Sequence, residues 1–135
     1  MASVLFRLPP VVSADAINSD AAVVALQAKH MLAGEWSWFL WGIGYQSSVD
    51  PLSVAIGFWI GGVSARALVV VMLVGHLAIV SLAYVALRRR LERWTAAWAC
   101  APLVFTPMAI NLILIYGARQ WCIAALFGAV ALLDG

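Results

Sequence analysis

The sequence predicts an all-α integral membrane protein, a multi-span helical bundle with an extracytoplasmic, interfacial loop that contains helices. Composition is the first reason: 65% of the residues are hydrophobic and 10% are charged, with a mean hydropathy of +1.00, whereas soluble domains are nearer half apolar and a quarter charged. Run length is the second, because 67–87 and 94–115 carry no formal charge and a helix crosses the hydrocarbon core in about 20 apolar residues. The third is an arginine-rich turn, 88–93, between the two runs.

Two further segments are expected to be parts of spans. The apolar run 121–135 is several residues short of a crossing where the sequence ends, which predicts a truncated span. Residues 1–10 are too short for a span and lack the basic and hydrophobic regions of a signal peptide, so we expect the tail of a missing span. The chain is therefore interpreted as one partial transmembrane domain, 1–135.

The arginine-rich turn predicts the orientation. Basic residues close to span ends favour the cytoplasm, which places the loop 15–66 on the extracytoplasmic side of a multi-pass protein of the plasma (inner) membrane. Four of the six acidic residues then face outward: Asp15, Asp20, Glu35 and Asp50. The same loop carries Trp36, Trp38 and Trp41, whose rings suit the headgroup level of a bilayer.

A helix is predicted over about 20–33. Ser19 and Asp20 form a start signal, the run is rich in alanine, and Gly34 follows as a stop. The spacing puts Asp20 and Gln27 on one face and an apolar stripe on another. That stripe comprises Val24, Ala28, Met31 and Leu32. The Asp20 carboxylate would be held at the positive end of the helix beside the membrane, although an ordinary helix-cap acid has the same pattern.

A second short helix is predicted over 51–63, after a Gly/Ser-rich turn. At 13 residues it is too short to span, so we expect it to lie in the interface. Arg66 then begins the first span on its outward side, against the helix dipole. Such an arginine is expected to pair with an acid such as Asp50 or Asp20, to bind an anionic ligand, or to reach lipid phosphates by snorkelling. Arg119, at the next outward-facing turn, has the same interpretations.

The loop also carries three short motifs in a fixed order. They are Ser19-Asp20-x-Ala22-Val23, His30-x-Leu32-x-Gly34 and Tyr45-x-x-Ser48-x-Asp50. In order and spacing they resemble the first extracytoplasmic loop of the GT-C type membrane glycosyltransferases, in the group related to protein O-mannosyltransferases and to aminoarabinose transferases of lipid A. The resemblance covers nearly the whole chain and makes it similar to an N-terminal fragment of such an enzyme.

The resemblance implies a glycosyltransferase that moves a sugar from a polyprenyl-phosphate donor to a glycan, lipid or protein acceptor outside the cytoplasm. Asp20 matches the family's catalytic aspartate, which implies a general base that takes the acceptor's proton as its oxygen attacks the anomeric carbon. Seven other residues would bind the donor, the arginines at its phosphate: His30, Tyr45, Gln46, Ser48, Asp50, Arg66 and Arg119. A requirement for a divalent metal stays open.

One residue departs from the family's pattern, because an acid commonly follows the catalytic aspartate and Ala21 stands there. This favours, as an alternative, a non-catalytic or degenerate membrane component of an envelope glycan pathway. A transporter piece is a third hypothesis, suggested by His76, Pro102 and Pro107 within predicted spans. The net charge of +2 arises mainly from a short turn of the kind that anchors topology, which argues against nucleic-acid binding.

Overall fold

The structure, a computed structural model, describes residues 19–105 and 117–133, and in the second range it describes side chains from residue 123 onward. These ranges are mostly helical, which confirms the helical part of the predicted fold class. Their elements, in chain order, are α1 (Ser19–Leu32), β1 (Phe39–Leu40), β2 (Ile43–Ser47), α2 (Val49–Gly61), α3 (Ala65–Arg88), α4 (Arg93–Val104) and α5 (Gly117–Leu133).

Residues 19–61, which we call the hairpin unit, contain α1, the two strands and α2. α1 coincides closely with the helix predicted over 20–33 and packs against α2. Its buried apolar face joins residues of the hairpin, α2 and α3 in one core: Ala21, Val24, Ala28, Met31, Leu40, Val54, Ala55, Phe58, Leu68 and Met72. Leu32, expected in the buried stripe, is 44% exposed. It is the last residue of α1, where the chain turns away from α2.

The end of α1 is closed by a glycine in the left-handed conformation. Gly34 has a φ of +90°, and its N–H donates to the carbonyl of Met31, while the N–H of Glu35 donates to the carbonyl of His30. This pair of bonds is the Schellman arrangement, which satisfies the last carbonyls of a helix. The predicted glycine stop therefore has the expected geometry.

The two strands form an antiparallel hairpin in a region for which the sequence predicts a turn. Phe39 lies opposite Ser47 and Leu40 opposite Ile43, with an irregularity between the two pairs. Gly42, in the connecting turn, has a φ of +79°, a conformation that glycine adopts without steric cost. The prediction of an all-α fold is wrong for this segment, which contains a hairpin. The sequence did not reveal β1 because a strand of two residues is too short to show an alternating pattern.

α2 begins at Val49, two residues before the predicted helix, and ends at Gly61. It packs against α3 at Gly57, where an added Cβ would collide with the Cγ2 atom of Val71. α3 starts with Ser64 as its N-cap, whose hydroxyl accepts a hydrogen bond of 3.1 Å from the N–H of Ala67. Close contact at a glycine thus fixes the short helix against the long one.

α3 is the one helix within residues 19–105 and 117–133 that is long and apolar enough to cross a membrane. Its 24 residues extend about 36 Å, more than the roughly 30 Å of a hydrocarbon core. Within its most apolar 18-residue window 33% of the residues are buried, and the exposed ones include Val70, Val74 and Val85. The helix therefore turns apolar side chains both into the protein and away from it.

The other two predicted spans are represented by shorter helices. α4 has 12 residues and covers 94–104 of the predicted span 94–115, and residues 106–116 lie outside the described ranges. α5 has 17 residues and packs against α3 and α2. The described residues thus contain one candidate span. Residues 1–18, which include Asp15 and the predicted tail of a missing span, also lie outside the described ranges.

Candidate functional site

Gln27 organises the polar part of the hairpin unit. Its side chain is completely buried, and its Nε2 atom donates to the carbonyl of Phe39 at 2.9 Å, while its Oε1 atom accepts from the N–H of Trp41 at 2.9 Å. The amide therefore binds one edge of β1 in the way that a peptide group of a neighbouring strand would. Both partners are backbone groups, so these bonds between α1 and the hairpin do not depend on the side chains of the hairpin.

The same amide reaches the start of α2. Gln27 Nε2 also donates to the hydroxyl of Ser48 at 3.2 Å, and Ser48 is the N-cap residue of α2. Its hydroxyl makes no capping bond, whereas its N–H donates to the carbonyl of Trp38 and its carbonyl accepts from Leu52. One side chain of α1 thereby connects the hairpin and α2.

Asp50 lies in the first turn of α2 with its side chain completely buried. Its Oδ2 atom accepts a hydrogen bond of 3.3 Å from Gln46 Nε2, and its Oδ1 atom has no hydrogen-bond partner among the described residues. Burial raises the pKa of Asp50 from its ordinary value of 3.8 to about 6, against the lowering effect of Gln46. Asp50 is therefore an interior acid with a raised pKa. Because its side chain is completely buried, it cannot contact a sugar donor directly in this conformation.

His30 occupies the last turn of α1, beside the hairpin. Its Nδ1 atom lies 2.7 Å from Glu35 Oε2, and its ring meets the Trp41 ring edge-on with centroids 5.0 Å apart. The glycine turn at Gly34 returns Glu35 to this position. His30 is half-buried, so the pair presents a polar edge next to the tryptophan.

Asp20 lies apart from this network. It is exposed in the first turn of α1, seven residues before Gln27, which is about 10 Å along a helix axis. Ser48 of the third motif bonds to Gln27, and the ring of His30 of the second motif meets Trp41, which also bonds to Gln27. Asp20 of the first motif is an exposed carboxylate at the start of the same helix.

The residue after Asp20 faces the opposite way. Ala21 is 1% exposed and belongs to the core between α1 and α2. A carboxylate at this position would replace a methyl group among apolar side chains, where an ionised group without a partner is strongly disfavoured. An acid at position 21 would therefore have no suitable surroundings in this fold.

Two other residues predicted to bind the sugar donor, Arg66 and Tyr45, are exposed. Arg66 is exposed at the start of α3 and forms no ion pair within the described residues, so the expected pairing with Asp50 or Asp20 is not formed. Tyr45, on β2, is 91% exposed. The side chain of Arg119 lies outside the described residues. For Arg66, an anionic ligand or lipid phosphates remain as partners.

An apolar groove of about 410 Å³ runs between α2 and α3. Its α2 side follows one helical face that starts beside Asp50, and its α3 side belongs to the candidate span. The lining residues are Val49, Leu52, Ser53, Ile56, Val71 and Val74. Within residues 19–105 and 117–133, no group of three or more histidine, cysteine or acidic side chains is placed to hold a metal ion.

Gln27 is the important residue that sequence reasoning missed. The helical spacing assigned it to an outer face with Asp20, but it lies three residues after Val24 and one before Ala28, which are both buried. The position of a glutamine between buried apolar residues of an alanine-rich helix could have indicated its role. A buried side-chain amide requires hydrogen-bond partners, which a neighbouring element must supply.

Comparison with known proteins adds no relative to this geometry. No protein-family model, no curated protein and no solved structure matches the chain. Functional interpretation therefore depends on the sequence motifs and on where the fold places their side chains.

Proposed function

We propose that this chain acts in a membrane glycosyltransferase that transfers a sugar from a polyprenyl-phosphate donor to an acceptor on the extracytoplasmic side, with Asp20 as the general base. The main support is that Asp20 is exposed in the first turn of α1, a helix that three hydrogen bonds of Gln27 connect to the hairpin and to α2. A base needs both access to the acceptor and a fixed position relative to it. The resemblance of the three loop motifs to GT-C enzymes supplies the reaction class.

In the proposed step, Asp20 takes the proton of an acceptor hydroxyl as the hydroxyl oxygen forms a bond to the anomeric carbon. The bond between that carbon and the donor phosphate oxygen breaks, and the polyprenyl phosphate leaves with the electron pair. Arg66 and Arg119 would stabilise the charge on the leaving phosphate, because guanidinium groups bind phosphate oxygens strongly. His30, Tyr45, Gln46 and Ser48 would shape the donor site, and Asp50 would act from the interior through Gln46.

The membrane setting of this proposal is a multi-pass protein of the plasma membrane, in which α3 and the regions 94–115 and 121–135 all cross. Its support is the length of α3 and the apolar side chains that α3 exposes. The groove between α2 and α3 offers an apolar surface for the prenyl chain beside the candidate span. The hairpin unit would then lie at the extracytoplasmic interface.

The test compares Asp20→Asn with Glu92→Gln in membranes that contain the protein expressed from its complete reading frame. Radiolabelled polyprenyl-phosphate hexoses and pentoses serve as donors, and both transfer and donor binding are measured. Loss of a general base lowers transfer by about 100-fold to 10,000-fold, with donor binding retained. Glu92, exposed beyond the other end of α3, should be replaceable without effect. Full transfer by Asp20→Asn would refute the base assignment.

One observation favours a second function, a non-catalytic or degenerate component of an envelope glycan pathway. Ala21 is buried in the core, so the fold has no place for the acid that commonly accompanies the catalytic aspartate in the family. Such a component would bind the polyprenyl-phosphate sugar without turnover. Binding that is unchanged in Asp20→Asn, with no transfer by either protein, would support this function over the enzyme.

A further inference from the structure

The turn between α3 and α4 concentrates positive charge and aromatic rings. We define the basic-aromatic turn as Arg88, Arg89, Arg90, Arg93, Trp94 and Trp98. All six side chains are exposed, and Glu92 is the acidic residue within the same stretch. The opposite end of α3 carries Arg66. The two ends of the candidate span therefore differ strongly in positive charge.

Backbone geometry holds the arginines close together. The N–H groups of Arg90 and Leu91 both donate to the carbonyl of Leu87, at 3.0 and 2.8 Å, which closes the chain tightly after α3. Arg88 Nη1 donates to the carbonyl of Leu91 at 3.0 Å, so its guanidinium lies across this turn. Cationic groups also suit the C-terminal end of a helix, where the dipole is negative.

The tryptophans occupy one face of α4. Trp94 and Trp98 are one helical turn apart and are 72% and 77% exposed, whereas Ala96 and Cys100 on the inner face are buried. The Arg93 guanidinium carbon lies 5.7 Å from the Trp94 ring centroid, within the range of a cation–π contact. A helix that buries small residues and exposes two indoles matches the headgroup level of a bilayer, where the ring is in apolar surroundings and its N–H is hydrated.

We propose that the basic-aromatic turn is a binding site for the headgroups of anionic phospholipids, on the membrane face at which α3 ends. The inference rests on the membrane setting of the proposed function. Guanidinium groups bind phosphate oxygens through paired hydrogen bonds, and basic residues next to a span are attracted to anionic lipid surfaces. The turn is continuous with an apolar candidate span and carries outward indoles, which places its charges at a lipid surface rather than along a nucleic acid.

The experiment uses the full chain in detergent micelles and measures lipid binding by native mass spectrometry. Phosphatidylglycerol and phosphatidylcholine are titrated separately against the wild type, against a variant with Arg89→Gln, Arg90→Gln and Arg93→Gln, and against Lys29→Gln. We expect the wild type to prefer phosphatidylglycerol, and the triple variant to bind it on the order of 100-fold more weakly, since each basic residue contributes separately. Lys29→Gln, a control at an exposed basic residue of α1 outside the turn, should keep the preference.

Several results would overturn the proposal. Equal binding of the two lipids by the wild type would do so, as would an equal loss in Lys29→Gln and the triple variant. Competition by soluble glycerophosphate as strong as by phosphatidylglycerol would assign the site to free phosphate, and a preference for a short oligonucleotide over phosphatidylglycerol would assign it to nucleic acid.

Two controls keep the test decisive. Should the triple variant fail to fold, the wild type alone is informative, because 1 M KCl should weaken its phosphatidylglycerol binding strongly and an unchanged affinity would contradict the proposal. Asp20→Asn should leave lipid binding intact, so that failure of the proposed sugar transfer and failure of the lipid site are distinguished.

Discussion

The hairpin unit and α3 differ in what they place inside and outside. In the hairpin unit, polar side chains lie in the interior: Gln27, Ser48 and Asp50 are at most 8% exposed, and hydrogen bonds join α1, the hairpin and α2. In α3, apolar side chains lie on both the inner and the outer face. A unit with internal polar bonds can hold an exposed carboxylate in place, whereas an exposed apolar face marks a surface that suits contact with lipid or with another protein.

The largest effect expected within the hairpin unit comes from Ala21→Asp. A carboxylate in the apolar core between α1 and α2 should lower the free energy of unfolding by about 4 to 5 kcal/mol. Chemical denaturation in detergent micelles, followed by circular dichroism, measures this change. Ala22→Asp is the matched control, because Ala22 is exposed and should tolerate the charge. Restored or increased sugar transfer in Ala21→Asp would show that the position belongs to the site and not to the core.

Gln27→Ala should come next, with a loss of about 3 to 4 kcal/mol. The substitution removes three hydrogen bonds and leaves the N–H of Trp41 without its partner, while the carbonyl of Phe39 keeps its bond from the Ser37 hydroxyl. The same unfolding experiment serves, with Lys29→Ala as an exposed control on the same helix. A loss below 1 kcal/mol for Gln27→Ala would mean that the hairpin is held on α1 by packing alone.

Asp50→Asn should change how stability depends on pH. The pKa of Asp50 in the fold, about 6, lies above its ordinary value of 3.8. Between these values the folded state binds more protons, so the free energy of unfolding falls as pH rises from about 4 to about 6 and is level above. Asparagine removes this loss, which amounts to about 3 kcal/mol.

The measurement is unfolding of wild type and Asp50→Asn at pH 4 and pH 7.5. Their stabilities should be similar at pH 4, and the variant should be the more stable protein at pH 7.5. A wild type that gains stability from pH 4 to pH 7.5 relative to Asp50→Asn would show a carboxylate with a charged partner, contrary to its interior position.

The smallest expected effect concerns the contact between the hairpin unit and α3. Gly57→Ala places a methyl group against the Val71 side chain and should cost about 1 to 2 kcal/mol. Gly61→Ala, on the same helix with nothing within 4 Å of the added atom, should be neutral or slightly stabilising because alanine favours helices. Equal stabilities of the two variants would show that α2 and α3 are not closely packed at Gly57.

Local signals explain the parts of the fold that the sequence predicts well. Ser19 and Asp20 begin α1 and the turn at Gly34 closes it, and the uncharged run 67–87 lies within α3. Each of these features depends on residues close together in the chain. Helix type and approximate bounds follow from such signals, so α1, α2 and α3 differ from their predicted ranges by one or two residues at each end.

The parts that were missed depend on contacts between distant residues. β1 is two residues long and its edge partner is a side chain, Gln27, twelve residues earlier. Asp50 is buried in the first turn of α2 and bonds to Gln46 of β2, and this burial raises its pKa. Neither feature leaves a periodic trace in the sequence. The exposed position of Asp20, in contrast, agrees with its expected place at a helix start.

The most direct test of the account is the position of the two ends of α3 relative to the bilayer. In a background with Cys100→Ser and Cys122→Ser, single cysteines are introduced by Val63→Cys or Leu91→Cys, both at exposed positions. A membrane-impermeant maleimide should label Val63→Cys in right-side-out vesicles and Leu91→Cys in inverted vesicles. Labelling of both variants from the same side, or recovery of the chain in the soluble fraction, would contradict a membrane-crossing α3 with the hairpin unit outside.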